Sequence, residues 1–118
     1  MISYLGDEKL GAKGSFLLLD EEFKVKGVWE EPGQAAPYGY DFWYQPYHNV
    51  MFSSEWGEPA TLLKGFDPSL VESKYGHHLH VWDWTKRKRI QSIDLGNEGL
   101  IPLELRFAHD PKKAYGFC

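Results

Sequence analysis

Five histidines and one glutamate carry the groups in this chain best suited to chemistry. His77, His78 and His80 crowd together, His48 follows the Gln45-Pro46 turn signal, and His109 precedes Asp110-Pro111. A neutral imidazole is a good copper or zinc ligand and carries protons near neutral pH. His78 and His80 stand two apart in an alternating stretch. On a strand both side chains would leave one face about 6.6 Å apart at the backbone, a separation one metal ion can bridge. The same alternation sends His77 to the opposite face. Glu55, flanked by Ser54 and Trp56, is placed to orient an imidazole or accept a proton.

Each of these residues has a structural alternative. His78 could be a hydrogen-bonding strut between strands, and Glu55 an ion-pair partner or a cap on the following loop. Asp41 and Asp83 read as turn or strand-end acids. Phe42, Trp43, Tyr44, Trp82 and Trp84 fit sheet packing better than a ligand cage. No phosphate-binding glycine loop, nucleophile elbow or Ser-His-Asp order is present.

The elements that must position these residues are strands. The chain has 118 residues, 16% of them aromatic, with 12 Gly and 7 Pro, a composition that favours strands and turns. Sliding the sequence along itself by about 65 residues lays Pro37 on Pro102, Phe42 on Phe107, Pro46 on Pro111 and Phe52 on Phe117. Leu18 and Asp20 fall on Val81 and Asp83 at a shift two residues shorter, which extra turn residues explain. Each repeat therefore predicts four antiparallel strands. Two flank a proline turn, and two form the hairpins Gly14 to Trp29 and His77 to Leu95, with the basic run Lys86-Arg87-Lys88-Arg89 on a solvated tip.

This unit is longer than the ~40 to 50 residues of common propeller repeats, and the excess lies in one inserted loop, residues 56–75. Within it Asp67-Pro68 offers an N-cap followed by Pro at the first helical position, which predicts a helical turn around Pro68 to Ser73. In Leu79 to Trp84 neither strand face is plainly polar, as expected of a sheet buried on both sides. The expectation is an all-β chain of roughly two four-stranded antiparallel blades, part of a larger β-propeller that the missing blades would complete. A small two-sheet domain is the alternative.

A formal net charge of −4 and the scatter of charged residues speak against a nucleic-acid partner or an anionic membrane surface. No stretch reaches the ~18 consecutive apolar residues of a transmembrane segment, and Met1 to Leu10 has neither a basic nor an apolar signal region. The single cysteine, Cys118, cannot form an internal disulfide, which fits a reducing, cytoplasmic setting.

Several longer strings are more specific than any short motif. Gly39-Tyr40-Asp41-Phe42-Trp43-Tyr44-Gln45-Pro46, His48-Asn49-Val50-Met51, Ser54-Glu55-Trp56, Val81-Trp82-Asp83-Trp84 and Gly99-Leu100-Ile101-Pro102-Leu103-Glu104 strongly resemble the selenium-binding protein family, whose animal members are known as methanethiol oxidases. The resemblance runs from Met1 to about Phe117. It implies a cytosolic β-propeller about four times this length, with the nucleus as a second location. It further implies oxidation of a small thiol substrate by oxygen, with copper as the metal. His48, His78 and His109 stand in family-like strings and become the candidate metal ligands, a shared ion requiring that they converge at one end of the channel, and Glu55 is the candidate catalytic residue, as a proton acceptor or an orienter of an imidazole. Selenium association would use a cysteine upstream of this region, so Cys118 does not inherit that role. Tyr47, His77, His80 and the stretch Glu8 to Ala12 depart from the family pattern. The alternative function is a non-enzymatic selenium-handling or protein-interaction scaffold in redox or trafficking pathways.

Overall fold

The computed structural model describes residues 1–118, and its regular structure is mostly antiparallel strand. Strands β1 (Ile2–Gly6), β2 (Ala12–Leu19) and β3 (Val25–Val28) form a three-stranded sheet in the order β1-β2-β3. Strands β4 (Phe42–Gln45), β5 (Val50–Ser54), β6 (His78–Asp83) and β7 (Lys88–Asp94) form a complete four-stranded meander, and β8 (Arg106–Phe107) and β9 (Gly116–Phe117) a two-stranded ribbon. The strands thus amount to roughly two blades spread over three sheets. The middle sheet is whole, the first lacks the counterpart of β4, and the ribbon reproduces only β4 and β5.

The internal repeat is visible in the turns. Asp20 and Asp83 each open a hairpin tip by accepting backbone N–H groups, from Glu22 (3.0 Å) and Lys24 (2.9 Å) in one case and from Lys86 (2.8 Å) in the other. Both tips then pass through a residue at positive φ, Phe23 at 61° and Arg87 at 54°. Lys86, Arg87 and Lys88 are exposed, as the composition of the run predicts, whereas Arg89 is half-buried and donates its N–H to Gln34 Oε1 at 3.1 Å.

The central strands of the middle sheet, β5 and β6, are covered on both faces, while the outer strands β4 and β7 stay largely exposed. On one face Met51 and Trp82, neither with any exposed surface, pack against Phe16 of β2, Trp29 just past β3 and Ala36, which bridges to Gly14. Phe16 meets Trp82 edge-on at 5.3 Å and Trp29 at 5.8 Å, and Trp82 donates its indole N–H to Ser53 Oγ at 2.9 Å. Trp82 and Trp29 are therefore packing residues, the geometry aromatic rings prefer in a core. On the other face Phe52 stacks on Phe107 at 5.1 Å. Asp41, just before β4, ties the ribbon down by accepting from the Leu105 N–H and Arg106 Nη1, both at 2.8 Å. It acts as a clamp between sheets.

The insertion after β5 is ordered. Asp67 accepts from the Ser69 N–H at 2.9 Å and starts a 3-10 turn at Pro68–Leu70 that runs into α2 (Val71–Lys74), where Asp67-Pro68 places it. A second helix, α1 (Pro59–Lys64), precedes it. Six residues are too few to show an apolar period, and its only sequence mark is Pro59 at the first position. The loop closes where it opens, by the Gly57–Tyr75 bridge and a Gly76 N–H to Trp56 O bond of 2.9 Å. Its base therefore sits directly against Glu55 and His77.

Candidate functional site

Pairing of β5 with β6 sets Ser54 opposite Leu79, and this brings the residue after β5, Glu55, beside the start of β6. Glu55 is 1% exposed and its carboxylate is saturated with donors. Oε2 accepts from the His78 backbone N–H (3.2 Å) and His78 Nδ1 (3.1 Å), and Oε1 from His80 Nε2 (2.9 Å). His80, 2% exposed, then has Nδ1 left to accept the Ser92 hydroxyl at 2.9 Å. In the neutral imidazoles this network fixes the tautomer of each ring, and His78 then keeps a free Nε2 on a side chain that is 32% exposed. The two rings lie nearly parallel, 6.0 Å between centroids at 7°, so the shared face that strand alternation predicts for His78 and His80 is observed.

Burial alone would raise the Glu55 carboxyl. The hydrogen bond and positive potential of His80, then those of His78, outweigh it and hold the carboxyl below its usual range. The anion is felt nearby: burial first, then the Glu58 and Glu55 carboxylates, raise the Tyr38 phenol. Gly76 lets the backbone pass close to this carboxylate, since a Cβ there would lie 2.3 Å from the Glu55 Cβ and 2.8 Å from Oε2.

His77 does not lie opposite His78. It precedes β6, where strand alternation no longer applies, and its ring stands 4.3 Å from that of His78 with Nδ1 bonded to Asp94 Oδ1 at 2.7 Å. Sequence reasoning missed Asp94, because only the β6–β7 register, which pairs His78 with Asp94, brings it there.

The other two candidate ligands stand elsewhere. His48 ends the 3-10 turn Pro46–His48 between β4 and β5, beside the Asp83 end of β6, with its ring edge-on to Tyr47. His109 shares a cleft with Trp43, Gln45 and Arg106 at that same turn end. The length of β6, roughly 16 Å at ~3.3 Å per residue, separates this end from His78. The convergence that a shared ion requires of His48, His78 and His109 is not found within this chain, because the first two lie at opposite ends of the same strand pair. The Cys118 thiol is held above its ordinary value, by desolvation first and the Asp41 carboxylate second.

Three antiparallel sheets in series, the middle one covered on both faces along β5 and β6, make this an all-β chain built of blade-like units. The sequence pattern described as 56kDa selenium binding protein (SBP56) matches residues 1–118. The chain belongs to that family. It is 62% identical over 119 residues to a methanethiol oxidase of Danio rerio, covering 99% of this chain and 26% of the relative. It is 59% identical over 119 residues to a methanethiol oxidase of Homo sapiens, covering 99% and 25%. The crystal structure of a hypothetical selenium-binding protein from Sulfolobus tokodaii superposes with a TM-score of 0.84 at 41% identity, over 94% of this chain and 25% of that one. The chain thus spans about a quarter of the length of the relatives it matches.

Proposed function

We propose that this chain is a segment of a β-propeller that oxidises a small thiol such as methanethiol with oxygen. The observation that carries this is the 62% identity to a methanethiol oxidase sustained over nearly the whole chain. Within this proposal the segment contributes through Glu55. Glu55 is buried and already holds three donors, so it acts as a positioning residue, fixing the ring of His78 with Nε2 free and tying β5 to β6 through His80. Copper belongs to the same proposal, as an ion that oxygen chemistry would use and imidazole would bind. His48, His78 and His109 do not fit one shared ion within this chain; each can at most complete a site with residues of other segments. A cytosolic location is part of the proposal.

Hydrogen sulfide or peroxide release from methanethiol by the purified full-length protein, measured above a metal-only control, tests the reading. Release is the expected result. Its absence in folded, copper-supplied protein would favour the scaffold alternative.

A further inference from the structure

We propose that His77, His78 and Asp94 form a binding site for a divalent transition-metal ion at the end of the β6–β7 pair. One ligand atom from each residue lies within 4.8 Å of the others. In a tetrahedral site with bonds of ~2.0 to 2.1 Å, ligand atoms stand about 3.4 Å apart, so closing the set asks for movements on the order of 1 Å. Side chains that are 35%, 32% and 63% exposed can make such movements, and an ion can reach them from solvent.

The backbone beneath the three residues is locked. His78 and Asp94 are direct cross-strand partners, and the Leu95 N–H bonds to His77 O at 2.8 Å. The outer contacts are those a metal-ligating histidine needs. Glu55 accepts from His78 Nδ1 and leaves Nε2 for a metal, a carboxylate–histidine pairing that fixes the tautomer and raises ligand basicity. The Gly96 N–H holds Asp94 Oδ1 at 2.8 Å. Two imidazole nitrogens and a carboxylate oxygen suit zinc or copper, with water filling the open position. The competing account is a plain His77–Asp94 ion pair with no metal. The set is complete without His48 or His109 and does not depend on the proposed thiol oxidation.

Calorimetric titration of chelator-stripped full-length protein with zinc alone tests the site, since it reads binding and requires no turnover. Native protein is expected to take up an equivalent of zinc whose affinity falls about tenfold or more in His77→Ser and in Asp94→Asn, and is unchanged in Lys24→Ala on the exposed hairpin tip of the first sheet. Zinc X-ray absorption should count two imidazole ligands in the native protein and one in His77→Ser. Circular dichroism identifies any variant that fails to fold, in which case the other variant decides. Absence of bound zinc, or the same affinity and ligand count in the folded variants, overturns the proposal.

Discussion

Replacing Glu55 by alanine should be among the most damaging single changes to this segment. The substitution removes an acceptor that serves the His78 N–H, the His78 ring and the His80 ring at 2.9 to 3.2 Å. Water can reach the His78 ring, but not His80, which is 2% exposed. An unsatisfied buried donor costs about 1–3 kcal/mol, and two are created, His80 Nε2–H and the His78 N–H. That sum agrees with the about 3–5 kcal/mol typical of breaking a buried charged pair from one side. Glu55→Gln keeps one acceptor oxygen and should cost about 1–3 kcal/mol. Adding His80→Leu to Glu55→Ala removes one orphaned donor, so the pair should cost less than the sum of its parts. Urea unfolding of the full-length protein, followed by tryptophan fluorescence, reads five proteins: native, Glu55→Ala, Glu55→Gln, His80→Leu and the Glu55→Ala/His80→Leu pair. A loss below about 1 kcal/mol for Glu55→Ala, or strict additivity with His80→Leu, would refute the reasoning.

Gly76→Ala should lower stability by about 1–3 kcal/mol, because the new methyl overlaps the Glu55 side chain; a melting temperature equal to that of the native protein would contradict this. Asp41→Ala should cost about 1–3 kcal/mol and raise amide exchange at Leu105 and Arg106, which lose their clamp, while leaving exchange in β6 unchanged. Because the folded-state Glu55 carboxyl lies below its ordinary value of 4.5, its contribution to stability is complete above that value and is lost as pH falls through the lower folded-state value. The native protein should therefore lose more stability than Glu55→Gln across that acid window, and parallel pH profiles would exclude it.

The strands and their hairpins were legible because strand periodicity, proline turns and paired aspartates are local signals, repeated at positions such as Asp20 and Asp83. The shared face of His78 and His80 was legible for the same reason. What escaped depends on pairing or on ends. Asp94 reaches His77 only through the β6–β7 register, and His77 leaves its expected face because the strand has not yet begun. His48 and His78 looked equivalent in the sequence, yet an antiparallel pair puts the beginning of β5 beside the end of β6 and so holds them apart. Gly76 gives no local sign of its contact with Glu55.

The central claim is that these sheets are blades of a larger ring, and an experimental structure of the full-length protein tests it most directly. The free edges of β1 and β9 are predicted to pair with strands from outside residues 1–118, completing four-stranded sheets on either side of β4–β7. Glu55 should remain enclosed between His78 and His80. A structure in which β1–β3 and β4–β7 close on each other as an isolated two-sheet domain, with no outside strand on β1 or β9, would contradict the account.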